Sequence, residues 1–206
     1  PTVKLFKNGQ PVDEFMGALP EAEIRKFLEP HLPRASDNVV AQAEQKLLEG
    51  DVAAATDLLK QARSIDSDNP RIVIAMAHAQ AAGGNNAEAE QLLDELPEDE
   101  QDQPEVTRLR AQIHFDGIAA AAPPPDQLTA RLAAEPGDSE ARYALAANQV
   151  MQGDIDGALD NLLLIMQKDR GFADDGARKA LLKLFDMLGD DPAITRYRAR
   201  MFNLLH

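Results

Sequence analysis

Residues 38–70 read NVVAQAEQKLLEGDVAAATDLLKQARSIDSDNP, two stretches of helical periodicity joined by a single glycine-aspartate pair and closed by a proline. Val39, Val40, Ala43 and Leu47 recur at the three- and four-residue spacing of one helix face, as do Ala55, Leu58, Leu59 and Ala62 in the second stretch. Between them stands Gly50-Asp51. A glycine ends a helix readily because it enters the left-handed region without a Cβ clash, and the following Asp can cap the next helix. Residues 38–49 and 51–65 therefore form a helical hairpin.

The same punctuation returns along the chain. Gly50-Asp51, Gly84-Asn85, Gly117, Gly153-Asp154 and Gly189-Asp190 lie 34, 33, 36 and 36 residues apart. Five residues past three of these turns stand Ala55, Ala89 and Ala158, small enough for two antiparallel helices to approach closely; nine residues past stand Leu59, Leu93 and Leu162. Pro70, Pro104 and Pro136 then mark where each hairpin yields to the next. The pattern predicts helix pairs at 38–49 with 51–65, 71–83 with 86–96, 104–116 with 126–135, 138–152 with 154–168, and 174–188 with 191–205. Pro123-Pro124-Pro125 interrupts the third pair and Ile194 replaces the small residue of the fifth. A period near 34 resembles that of tetratricopeptide repeats. The resemblance is good for the first, second and fourth units and implies about five hairpins stacked into an α-α superhelix.

Upstream, PTVKLFKNGQPVDEFMGALPEAEIRKFLEPHL occupies residues 1–32 and has a different character. Val3, Leu5 and Phe6 make a short β-rich run, Asn8-Gly9 is a strong two-residue hairpin signal, and Val12 with Phe15 resumes a strand. Gly17 breaks that strand, and Pro20-Glu21 opens a helix that Pro30 and Pro33 stop. Strand, turn, strand and helix are too little to bury a core, so partner strands are expected from elsewhere. In order and spacing these residues resemble the C-terminal part of thioredoxin from its cis-proline onward. That resemblance implies that Pro1, Gly17 and Ala18 form a client-binding rim, and that any redox dithiol lies upstream of this chain. The domain plan is thus 1–33 as a thioredoxin-like fragment, 34–37 as a linker and 38–206 as the helical repeat domain, a mainly α protein.

Composition narrows the chemistry. With no cysteine there is no thiol nucleophile, disulfide or thiolate metal site in the chain. His31, His78, His114 and His206 are scattered without metal-ligand spacing, and Asp154-x-Asp156-Gly157 places its glycine too early for a calcium loop, so no metal and no cofactor are expected. Ser36, Ser64, Ser67 and Ser139 sit near helix boundaries, where serine caps, and none occupies a nucleophile elbow. No catalytic residue emerges.

The charge of −14 is uneven: residues 37–170 carry 10 basic and 25 acidic groups, and residues 171–206 carry 6 and 5. Such an anionic surface repels phosphate backbones, which excludes nucleic acid as a partner. No long apolar run suggests a membrane, and the cytoplasm is the expected compartment. The acidic run Glu98–Asp102 reads as a solvated connector.

A thioredoxin-like piece joined to helical repeats resembles the bacterial YbbN (CnoX) family of thioredoxin-related co-chaperones. The resemblance implies a protein that holds unfolding or oxidised clients and delivers them to a GroEL-type chaperonin. It places the chaperonin contact in the last helix, on Ile194, Arg196, Tyr197, Arg198, Arg200, Met201, Phe202, Leu204 and Leu205. Two readings of that helix stand: its side chains pack back on the preceding hairpins, or they dock a partner as arginine-oriented aromatic anchors. A rival function is the targeting arm of a thioredoxin-type disulfide oxidoreductase. Self-association through an unpaired strand edge is a further expectation.

Overall fold

The computed structural model describes residues 1–7, 9–28, 31–189 and 192–205, with the side chains of residues 192 and 193 excluded. Two strands, β1 (Thr2–Lys7) and β2 (Gln10–Met16), precede twelve helices: α1 (Glu21–Leu28), α2 (Asp37–Leu48), α3 (Val52–Ile65), α4 (Pro70–Ala82), α5 (Asn86–Asp94), α6 (Glu98–Gln101), α7 (Pro104–Ala121), α8 (Pro125–Ala134), α9 (Ser139–Gln152), α10 (Ile155–Lys168), α11 (Gly176–Leu188) and α12 (Pro192–Leu205). Asn8, Pro30, Asp190 and His206, which the sequence reading invoked, lie outside the described residues.

The strands pair antiparallel, from Thr2 opposite Met16 to Lys7 opposite Gln10, with an irregularity between Leu5 and Phe6. The alternation of a strand puts Val3 and Phe15 on one face. There Phe15 meets Phe27 of α1 edge to face at 4.9 Å, and Asp13 accepts a 2.9 Å contact from His31. That bond holds the Asp13 carboxyl below its ordinary range. Phe6 and Met16 remain exposed, and α1 buries no residue fully, so this unit forms a small, thinly covered patch rather than a core.

The expected linker is tied down. Ser36 is fully buried; its hydroxyl donates to Asp66 at 3.2 Å and accepts from the Asn69 amide at 2.9 Å, while Arg34 pairs with Asp66 at 3.2 Å. This polar knot joins the start of the first hairpin to the start of the second. Ser36 therefore makes no capping bond to α2, although it stands at the cap position. The other serines do not cap either: Ser64 donates to the Gln61 carbonyl, Ser67 to Asp68, and Asp138 rather than Ser139 caps α9.

Three hairpin turns share one device. Gly50, Gly84 and Gly153 adopt φ of 79°, 78° and 79°, and the residue after each donates back to the carbonyl five positions earlier: Asp51 to Lys46, Asn85 to Gln80 and Asp154 to Gln149, all at 2.9 Å. Asp51 and Asp154 then cap α3 and α10 by accepting from Ala54 and Gly157. Beyond these turns Ala55, Ala89, Ala158, Leu59, Leu93 and Leu162 are all completely buried. Each buried leucine of this kind stabilises the fold by about 1.5–3 kcal/mol.

The third unit departs from the expected pattern. Gly117 lacks a positive φ, so α7 runs through it for 18 residues to Ala121, and the turn falls instead at the proline triplet, with Pro125 in the first turn of α8. α8 packs chiefly on α9 rather than lying antiparallel on α7, so residues 104–116 and 126–135 do not form the predicted hairpin. α7 packs against both α9 and α11, and α10 against both as well, which closes four helices into a ring. Phe115, Val150, Leu159, Leu162, Leu181 and Phe185 fill its centre. The amino-terminal half of α7 belongs to a different core, where Val106, Leu109 and Ile113 meet Ile74, Ala89 and Leu93. The acidic connector also contains structure: it includes the short α6, fastened where Gln101 donates to the Leu96 carbonyl at 2.8 Å.

Candidate protein-binding surface

With α8 displaced onto α9, a groove of about 630 Å³ opens among α5, α7, α8, α9 and α11. Ile113, Ile118, Ala121, Pro123, Leu128 and Ala144 supply apolar lining, and Gly117 leaves the α7 wall without a side chain. Adding a Cβ there would meet only the Asn86 amide, at 3.5 Å. The polar side is organised in pairs. His114 Nε2 lies 3.1 Å from the Tyr143 hydroxyl, Asn86 donates to Asp116 at 2.9 Å, and Arg131 pairs with Asp138 at 2.7 Å and Glu140 at 3.6 Å. Burial, with Lys183 nearby, pushes the His114 pKa down; burial alone pushes the Tyr143 phenol up.

A smaller hollow of about 300 Å³ lies between α2 and α4, lined by Leu47, Leu48, Ile74, Ala75 and His78 and rimmed by Glu44, Arg71 and Glu105. Leu48 is 83% exposed there. Desolvation lowers the His78 pKa, against the opposing pull of Glu105 and Glu44.

The terminal helix takes the packed arrangement. Ile194 and Tyr197 are buried to 2% and 1% exposure in the ring core, so, contrary to the expected docking role, these two cannot serve as surface anchors for a partner; they share one face of α12 with Met201, Leu204 and Leu205, which pack against the same core. The Tyr197 hydroxyl donates to Asp156, Arg196 pairs with Asp156 at 3.3 Å, and Arg200 pairs with Asp160 at 2.6 Å. Both guanidiniums sit about 5 Å from the Tyr197 ring, and Arg198 lies over Phe185 at 5.5 Å. The exposed side of α12 carries the three arginines with Phe202, which is 59% exposed.

At the opposite end, the Gly17 amide donates to the Pro1 carbonyl at 2.8 Å, bringing two of the three rim residues together, and both Pro1 and Ala18 are exposed. The sequence reading did not find the large groove. Its lining comes from five helices, and the one available sign, three consecutive prolines after a long helical pattern, reads only as an interruption.

Two family models, both described as tetratricopeptide repeat, match residues 46–113 and 118–206. The helical region is built of tetratricopeptide-like repeats. The boundary between the two matches falls inside α7, the helix shared by two cores. These repeats are scaffolds for protein–protein interaction, and no described helix is long and apolar enough to cross a membrane. An uncharacterized protein of Haemophilus influenzae is 28% identical over 208 residues, covering all of this chain and 95% of that protein. The uncharacterized protein Mb1359 of Mycobacterium bovis is 25% identical over 222 residues; the chain spans 61% of its length. Among solved structures, a domain of protein VP0806 from Vibrio parahaemolyticus is 23% identical with a TM-score of 0.37, over 82% of this chain and 99% of that one. The MamA RS-1 ArsTM double mutant is 15% identical with a TM-score of 0.38, over 82% and 94%.

Proposed function

We propose that this protein is a binding module of the co-chaperone kind, without catalytic turnover, which holds extended apolar segments of unfolding proteins against its repeats and presents them to a GroEL-type chaperonin. The observation that carries the reading is the open groove beside α7, apolar at its base and polar at its rim, in a repeat architecture made for polypeptide partners. Ligand grooves commonly combine such a lining with a few placed polar groups. The arginine-bearing outer side of α12 is the surface proposed for the chaperonin, and the rim at Pro1, Gly17 and Ala18 for clients. The resemblance of residues 1–33 to thioredoxin supports the co-chaperone assignment and its setting in the cytoplasm.

Light scattering of an aggregating substrate, with and without the chain, tests client holding: reduced scattering is expected, and equal scattering would remove that part. Chaperonin docking is tested separately by affinity measurement with the triple variant Arg196→Ala, Arg198→Ala, Arg200→Ala, for which weakened binding is expected and unchanged binding would reassign the surface.

A further inference from the structure

Groove polarity identifies what kind of segment it takes. Glu90 is neutralised by Arg110, and Arg131 by Asp138 and Glu140. Lys183 is different. It lines the groove from α11, half-buried, and forms no ion pair among the described residues, although Asp186 follows one turn later on the same helix. It stands near the paired His114 and Tyr143. Lys183 also borders a neighbouring hollow lined by Asp94, Asp102 and Asp186, none of which reaches it as an ion pair, so its ammonium stays open to a carboxylate presented from the groove side. Gly117 bares the α7 backbone in the lining, where an added Cβ would meet only the Asn86 amide.

We infer that the α7–α8–α9 groove binds an extended polypeptide segment in which an aliphatic side chain is followed by an acidic one. The aliphatic group rests over Gly117 against Ile118, Ala121 and Pro123, which present surface to the groove, and the carboxylate meets Lys183. A carboxylate–ammonium contact in a partly desolvated cleft is a charge-assisted hydrogen bond, stronger than its neutral equivalent, so it selects acid over amide. This rests on the protein-binding reading above and adds a sequence preference to it.

The test uses capped, fluorescein-labelled decapeptides in a Gly-Ser frame carrying a central Leu-Asp, Leu-Asn, Leu-Lys or Ser-Asp pair, titrated with the intact chain and read by anisotropy. Leu-Asp should bind about tenfold more tightly than Leu-Asn, with Leu-Lys and Ser-Asp weaker still. Lys183→Gln, at a position that is only half-buried, should make Leu-Asp and Leu-Asn equal. Gly117→Leu should block every peptide by filling the floor, and circular dichroism checks that both variants keep their helices. Equal binding of Leu-Asp and Leu-Asn by the unaltered chain, or discrimination retained in Lys183→Gln, overturns the acid preference. Binding of no peptide, with client aggregation still suppressed, overturns the groove assignment while the holding function stands. Peptide discrimination without suppression of aggregation supports the site and removes the holding function instead.

Discussion

The Tyr197 hydroxyl reaches across 41 residues of sequence to donate a 2.7 Å hydrogen bond to Oδ1 of Asp156, and this contact seats the terminal helix on α10. Its ring is almost fully buried while its oxygen reaches the surface acid, an arrangement suited to a side chain with an apolar body and a polar tip. Tyr197→Phe keeps the packing and loses the bond. Urea denaturation should show a loss of about 1 kcal/mol, whereas Tyr197→Ala should cost about 3–5 kcal/mol by opening a cavity. Arg200→Ala, which breaks a surface ion pair, should cost under about 1 kcal/mol.

Two glycine-to-alanine substitutions should have opposite signs. Gly153 holds φ of 79° in the turn between α9 and α10, where an L side chain costs about 1–2 kcal/mol, although nothing lies within 4 Å of an added Cβ. Gly117 is a helical residue with ordinary contacts to spare, so alanine there should add about 0.5–1 kcal/mol by lowering the flexibility of the unfolded chain. Thermal melts of the two single variants against the parent would read both.

Ala158, five residues past the turn that joins α9 to α10, is completely inaccessible in a pair of helices that pack on each other. Ala158→Leu would force these helices apart, at a cost of about 1–3 kcal/mol. The same change at Ala144, half-buried and facing the groove, should be tolerated far better. A denaturation midpoint that moves equally for both would contradict the close packing assigned to Ala158.

His78 and His114 both have pKa values lowered by burial. Their neutral forms are favoured in the folded chain, while the unfolded chain takes up protons near the ordinary histidine value. The associated stability is therefore complete above about pH 6.5 and is lost as the pH falls from there through the depressed folded values. The double variant His78→Gln, His114→Gln should show a shallower decline in urea midpoint between pH 7.5 and 5.5 than the parent.

The repeat was legible because three turns use the same chemistry: glycine in a left-handed conformation, then an Asp or Asn, then alanine and leucine at fixed distances. Local rules suffice for such turns. At Gly117 they mislead, since a glycine is only permitted, never obliged, to take positive φ; the flanking Phe115 and Ile118, packed into the ring, favour continuing the helix. The strand–turn–strand–helix order at the start was readable from the β-rich runs on either side of Asn8-Gly9 and from Pro20, whereas the knot of Ser36, Asp66 and Asn69 unites residues some thirty positions apart and leaves no local mark. The groove and the burial of Ile194 and Tyr197 belong to the same class, as products of which helix lies beside which.

One helix serving two hydrophobic interiors has a mechanical meaning. Because Val106, Leu109 and Ile113 anchor α7 at one end and Phe115 secures it at the other, neither half of the molecule can shift its share of that rod without dragging on its neighbour. A segment bound in the proposed groove would lie beside the stretch of α7 where the two interiors meet.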